Sequence, residues 1–210
     1  MEHVFFKPWV GRNYENGGIF SKKLLVLGES HYCGGCNQCG LKYGRECEEF
    51  TKDTVINYLN GVNGRWTSTY RKFERSLVNE YTTNERSEEI WNSLAFFNFL
   101  QVDMVIPRKG GTPEEYEEGG VAFLEVLNEL QPDLVIVWGI NRLYENLPGK
   151  ECGWIDGAEF KVDNYSIPNG YYQLNSGKKT KVIAVYHPSS GYSWDLWYKA
   201  ISVQLQLKLK

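Results

Sequence analysis

The sequence predicts a three-layer αβα domain in which helices cover both faces of a central, mostly parallel sheet of four strands. Two observations support this class. Short apolar runs alternate along the chain with segments of helical periodicity. In addition, no repeat, low-complexity tract or linker divides the 210 residues. We therefore expect a single domain spanning residues 1–210, long enough to bury one large core.

The four predicted strands are apolar runs that are too short for core helices and rich in β-branched or aromatic residues. They cover residues 23–27, 93–97, 133–137 and 181–186. Such runs are typical of strands that are buried on both faces of a parallel sheet.

The segments between these runs predict helices. Apolar residues at helical spacing, or the continuation of such a pattern, indicate helices over 53–59, 70–81, 88–91 and 140–147. A further helix begins at Pro113 with early glutamates, and the last runs from Ser193, as N-cap, to about residue 205. Residues 151–180 predict a loop and a β-hairpin that turns near 175–177.

Charge and hydropathy exclude some classes of protein. No window approaches the roughly 18 consecutive apolar residues of a transmembrane helix, and the start lacks the features of a secretory signal. We therefore expect a cytoplasmic protein with reduced thiols, and no membrane partner. The net charge is −3, and residues 112–133 hold seven acidic residues and no basic one. Basic groups occur at 65–75, 108–109 and 178–181, so charge alone mildly disfavours nucleic acid but leaves it open.

Polar residues follow three of the predicted strands. Gly28-Glu29-Ser30-His31-Tyr32 follows the first strand, Asn98 ends the second, and His187-Pro188-Ser189-Ser190 follows the fourth. Parallel strands bring their carboxyl ends to one edge, where ligands bind in open α/β sheets. Each residue alone has a structural explanation, but two of the three histidines directly follow predicted parallel strands. The sequence therefore predicts a polar pocket at this edge.

These residues resemble the motifs of the uracil-DNA glycosylase superfamily, in order and spacing, from about Lys23 to Trp197. The loop 28–32 is similar to the family's Gly-led loop that positions water, and its Gly-Glu start is similar to the prokaryotic iron–sulfur branch. His31 stands where that loop usually has proline. Asn98 is similar to the asparagine that reads the uracil edge, and residues 187–190 match the His-Pro-Ser loop that also wedges into the duplex.

The resemblance implies hydrolysis of the N-glycosidic bond of uracil or a damaged base in DNA. His187 would stabilise the departing base by donating a hydrogen bond, and Glu29 would orient or deprotonate water. Asn98 would read the flipped base, and Tyr32 would stack on it. The remaining predicted substrate contacts are Gly28, Ser30, His31, Pro188, Ser189 and Ser190. Lysines at 178–181 are weaker candidates for phosphate contacts.

Four of the five cysteines lie within fifteen residues. Cys33, Cys36, Cys39 and Cys47 have a spacing that favours a metal over disulfides in a reducing compartment, although free cysteines are the alternative. A closed four-cysteine site indicates structural zinc. A [4Fe–4S] cluster is the alternative. We therefore expect a metal-binding loop at about 32–48, with Cys152 as an ordinary thiol.

Two other functions stay open. The pocket could bind a nucleobase or nucleotide in a non-catalytic or regulatory module, for which the acidic charge is better suited. A metal-dependent hydrolase that uses His31 and His187 is the third hypothesis. The expected partners are accordingly single- or double-stranded DNA, or a nucleobase or nucleotide ligand, bound by a monomer.

Overall fold

The computed structural model describes residues 1–32, 47–104 and 109–206. The strands are β1 Trp9–Val10, β2 Leu24–Gly28, β3 His31–Tyr32, β4 Leu94–Asn98, β5 Asp103–Met104, β6 Leu134–Trp138, β7 Trp154–Asp156, β8 Lys161–Val162, β9 Tyr165–Ser166, β10 Asn169–Gln173 and β11 Lys179–Val185. The α-helices are α1 Phe50–Leu59, α2 Thr67–Val78, α3 Asn84–Trp91, α4 Pro113–Leu130 and α5 Trp194–Leu205. None of them is long and apolar enough to cross a membrane.

The described residues form a seven-stranded sheet in the order β1-β4-β2-β6-β11-β10-β7. Its centre is parallel: β2 pairs with β4 and β6, and β6 pairs with β11. These are the four predicted strands, whose positions are confirmed to within a few residues. The sheet is nevertheless larger than the predicted four strands, because β1, β10 and β7 extend it by antiparallel pairing.

The predicted hairpin within 151–180 is confirmed. Strand β10 runs antiparallel to β11, and the backbone N–H of Leu174 donates to the Lys178 carbonyl at 2.9 Å across the turn. Gly177 has a φ of 85°, which favours glycine at this position. Strand β7 escapes prediction as a strand, because it has three residues and is partly exposed, without a continuous apolar run.

Helices pack on both faces of the sheet because successive residues of a strand point to opposite sides. On one face, Leu24 and Val26 of β2 join a core with α1, α2, α3 and α5. On the other face, Leu25 and Leu27 join a second core with α4. The chain is therefore a mixed α/β protein with a large central sheet that is buried on both sides.

Helix α4 starts where the sequence predicts it. Thr112 forms a capping box with Glu115, and Pro113 occupies the first turn. The helix predicted over 140–147 is wrong: this segment forms turns and a short 3-10 helix at Tyr144–Asn146. Non-helical backbone bounds the segment on both sides: Gly139 has a φ of 133°, and Leu147 has ψ 146° because Pro148 favours an extended conformation in the residue before it.

Candidate functional site at the carboxyl edge of the sheet

The central strands end at the same level, and this alignment assembles the site. Gly28 pairs with Asn98 across β2 and β4, and Trp138 pairs with Val185 across β6 and β11. His187 follows two residues after Val185, and its ring lies 5.9 Å from the Trp138 ring in an edge-to-face arrangement. The residues after each strand therefore share one edge of the sheet.

Asn98 lies against Gly28 at this edge. A Cβ atom on residue 28 would be 2.4 Å from Asn98 Oδ1 and 3.2 Å from the Phe96 ring. Only glycine leaves room for the carboxamide in this position. The Gly28–Asn98 pairing thus fixes a buried amide at the position where the family resemblance predicts the base-reading residue.

His31 holds the Asn98 carboxamide from the other side. Its Nε2 lies 3.0 Å from Asn98 Nδ2 and 2.9 Å from Thr51 Oγ1. Since an amide nitrogen only donates, Nε2 accepts, and the proton of the neutral ring is on Nδ1. The ring is 4% exposed and packs against Phe6 and Phe50. Burial lowers the pKa of His31 to about 3, so the ring is neutral at physiological pH.

This arrangement gives His31 a role that differs from a metal ligand. Its Nε2 is already engaged, and Nδ1 is buried without a hydrogen-bond partner among the described residues. His31 therefore orients Asn98. No contact in the described part of the chain favours the metal-dependent hydrolase hypothesis.

Glu29 is held by two residues that sequence reasoning did not assign to the site. Tyr116 of α4 donates its hydroxyl to Oε1 at 2.5 Å. Arg142 forms a bidentate ion pair, with Nε donating to Oε1 and Nη2 to Oε2. A carboxylate has about four acceptor positions, so these three donors leave about one on Oε2.

The electrostatics of this trio follow from the same contacts. The hydrogen bond with Glu29 raises the pKa of Arg142 above its ordinary value. Burial, together with the neighbouring carboxylate, raises the pKa of Tyr116. Tyr116 looked like an ordinary core residue in sequence, and Arg142 fell inside the wrongly predicted helix. The available signal was an arginine four residues after the end of β6.

His187 has a defined tautomer. The Ser189 backbone N–H donates to its Nδ1 at 3.2 Å, and Ser189 Oγ lies 2.8 Å from the same atom. The proton of the neutral ring is therefore on Nε2, which has no hydrogen-bond partner among the residues described here. Burial lowers the pKa of His187, while the Glu29 carboxylate acts in the opposite direction. A neutral imidazole with an available Nε2–H donor results.

The other predicted contacts lie around these groups. Tyr32 is 43% exposed in β3, and Ser30 is half-buried. Pro188 is buried, whereas Ser189 and Ser190 are exposed. The edge therefore presents both an aromatic ring and a polar loop to solvent.

The predicted metal ligands are mostly outside the described residues. Cys33, Cys36 and Cys39 are outside the described ranges. Cys47 is within them and is a half-buried free thiol just before α1. Within the ranges 1–32, 47–104 and 109–206, no group of three or more potential ligands could hold a metal ion.

The described edge thus combines a fixed carboxamide, a neutral imidazole donor and a carboxylate paired with a guanidinium. Such a set can bind the polar edge of a planar heterocycle and hold one water molecule beside it. Comparison of the chain with models of known protein families finds no match, and comparison with curated proteins finds none either.

Proposed function

We propose that the protein hydrolyses the N-glycosidic bond of uracil or a damaged base in DNA, as a divergent member of the uracil-DNA glycosylase superfamily. The observation that carries this proposal is the meeting of Asn98, His187 and Glu29 at one edge of a parallel sheet. These are the three side chains that the sequence resemblance assigns to base reading, leaving-group stabilisation and water activation.

Asn98 is suited to read a pyrimidine edge. One amide hydrogen binds His31 Nε2, and the other hydrogen and Oδ1 can pair with a base. Because His31 is neutral and fixes the amide, Asn98 cannot rotate freely between its two flip states. The pair therefore favours a base that presents an acceptor next to a donor, as uracil does.

His187 is suited to stabilise the departing base. Bond cleavage places negative charge on a base carbonyl, and a donor aimed at that oxygen lowers the barrier. The Ser189 contacts keep Nδ1 as the acceptor, so the Nε2–H serves as this donor. Burial keeps the ring neutral, and a neutral donor does not have to lose a proton before the next turnover.

Glu29 is suited to hold one water molecule rather than to act as a free base. The remaining acceptor position on Oε2 can orient a water, while Arg142 holds the carboxylate in place through both oxygens. The Arg142 guanidinium also offsets part of the negative charge of Glu29, so the carboxylate stabilises the positive charge on the sugar less than an unpaired carboxylate would. Positioning of the water is therefore the main contribution that we assign to Glu29.

Cleavage of a uracil-containing oligonucleotide tests this proposal. The wild-type protein should produce strand scission after alkali treatment, and His187→Ala should lose about 100-fold or more of that rate. His3→Ala is the matched control, because His3 is exposed and pairs with Glu125 on α4. Intact single- and double-stranded substrates after incubation with folded wild-type protein would contradict the proposal.

One observation favours a second candidate, a non-catalytic module that binds a nucleobase or nucleotide. Both oxygens of Glu29 are engaged by Arg142, as expected of a carboxylate whose purpose is structural. In this case the wild-type protein should bind free uracil or uridine by calorimetry and release no base from DNA.

We also propose that Cys33, Cys36, Cys39 and Cys47 bind a structural metal ion, with zinc favoured over a [4Fe–4S] cluster. The support is the anchoring of the two flanks of this segment. His31, two residues before Cys33, contacts Thr51 at 2.9 Å and the Phe50 ring at 4.8 Å, and Thr51 is four residues after Cys47. The ends of the segment are thus close together, which reduces the entropy cost of closing a metal-bound loop.

Elemental analysis of purified protein should find about one zinc per chain. Cys36→Ser should lose the metal, whereas Cys152→Ser should retain it, because Cys152 lies outside the run and contacts Glu151. Iron together with visible charge-transfer absorption would identify the cluster instead. Protein that is folded and metal-free after expression with added zinc and iron would contradict both.

A further inference from the structure

The net negative charge of the chain is distributed unevenly over the two faces of the sheet. Six of the acidic residues in 112–133 lie on α4, which packs on one face of the sheet. Helix α2 packs on the opposite face and carries a cluster of basic residues. The overall charge therefore says little about the surface that α2 presents.

The basic residues of α2 are Arg71, Lys72 and Arg75. Arg75 follows Arg71 by four residues and Lys72 by three, so it neighbours both of them on the helix surface, and the three form one patch. Arg71 and Lys72 are exposed. Among the described residues, none of the three forms an ion pair with a carboxylate. The acidic residue of α2, Glu74, is fully buried and faces the core.

Aromatic rings extend this patch. The Arg75 guanidinium lies between two rings, 3.8 Å from the centroid of Tyr81 and 4.2 Å from that of Trp194. Tyr81 is 82% exposed, so its other face is open to solvent. The stack fixes the positive charge and presents a flat apolar surface beside it.

The patch is tied to the candidate site. Ser76 of α2 and the Tyr192 hydroxyl are 2.6 Å apart, and Tyr192 lies in the loop between Ser190 and α5. Trp194, which stacks on Arg75, follows Ser190 by four residues. The patch thus adjoins the loop that carries His187.

We infer that Arg71, Lys72, Arg75, Tyr81 and Trp194, which we call the α2 patch, bind single-stranded DNA beside the site. Cations that have no carboxylate partner among the described residues attract phosphates, and an exposed ring next to them stacks on unpaired bases. Of the carboxylates near these residues in sequence, Glu80 is paired with Arg86 at 2.9 Å. The inference rests on the proposed function for the choice of nucleic acid.

Fluorescence anisotropy with a labelled, uracil-free oligothymidine tests the α2 patch without any requirement for cleavage. The double variant Arg71→Ala/Lys72→Ala should bind more weakly, and its log K against log salt slope should be shallower by about 1.4, at about 0.7 per lost phosphate contact. The matched control is Arg12→Ala/Lys161→Ala. It removes the same charge from exposed residues that pair with Glu88 and Glu159.

Tyr81 separates stacking from charge. Tyr81→Ala should lose about fivefold or more in affinity with an unchanged salt slope, and Tyr81→Phe should restore binding. Equal losses in the two double variants, or equal binding of duplex and single strand, would overturn the inference.

The outcomes also separate this inference from the proposed function. Oligothymidine binding through the α2 patch without any cleavage of uracil-containing DNA would refute the glycosylase and leave the patch standing. If the wild-type protein cleaves uracil-containing DNA and the α2 variants bind DNA normally, the α2 patch is refuted and the glycosylase stands.

Discussion

Replacing Glu74 by alanine should lower the free energy of unfolding by about 3 kcal/mol or more, a large part of the 5–15 kcal/mol typical of a domain. Glu74 is 0% exposed and accepts hydrogen bonds from four side chains, three on the helices α1 and α3 and one in the loop between α2 and α3. The donors are Tyr58 at 2.7 Å, Thr82 at 2.5 Å, Ser87 at 2.9 Å and Trp91 Nε1 at 2.8 Å. Alanine would leave buried donors without an acceptor, at about 1–3 kcal/mol each, and would also open a cavity.

Chemical denaturation measures this effect, and two further variants make it specific. Glu74→Gln keeps the volume and one acceptor oxygen, so we expect an intermediate loss. Glu80→Ala removes an exposed glutamate that pairs with Arg86, and its effect should stay within about 0.5 kcal/mol. A loss for Glu74→Ala as small as that of Glu80→Ala would mean that the helices α1, α2 and α3 do not depend on this carboxylate.

The central sheet could be predicted from the sequence because its strands are buried on both faces. A strand such as Leu134–Trp138 has no solvent-facing side. A short, continuous apolar run of this kind is typical of a strand that is buried on both faces of a parallel sheet. The shared edge followed from the same fact, since parallel strands end together. The edge strands β1 and β7 carry no such signal, because they are very short and partly exposed.

The partners of Glu29 could not be predicted, because they come from distant parts of the chain. Tyr116 is 87 residues away and Arg142 is 113 residues away. No local pattern encodes such a contact. The same holds for His31, whose role in orienting Asn98 depends on a contact across 67 residues.

Charge shows the same limit in another form. The net charge of −3 follows from the sequence. The sequence does not reveal that α4 and α2 lie on opposite faces of the sheet. The argument from charge against nucleic acid therefore loses its force once the faces are known. What matters for binding is the local field of the surface beside the site.

Replacing Glu29 by glutamine should reduce base release by about 10²–10⁴-fold if Glu29 positions the attacking water. Glutamine retains an acceptor for Tyr116 and nearly the same volume, so the protein should still fold. Binding of the substrate should change little, because the proposed function assigns the contacts with the base to Asn98 and His187. The measurement is the single-turnover rate of base release together with the affinity for the same oligonucleotide.

Two variants decide whether the loss comes from the water or from the ion pair. Tyr116→Phe removes one donor to Oε1 but keeps the bidentate contact of Arg142, so we expect a loss of less than about tenfold. Glu125→Gln, the same change on the outer surface of α4, should leave the rate unaltered. If Glu29→Gln cleaved DNA at the wild-type rate, Glu29 would be a structural partner of Arg142, and another group would have to activate the water. If it lost stability in parallel with activity, the ion pair would be the reason for a glutamate here, which is the expectation for the binding module.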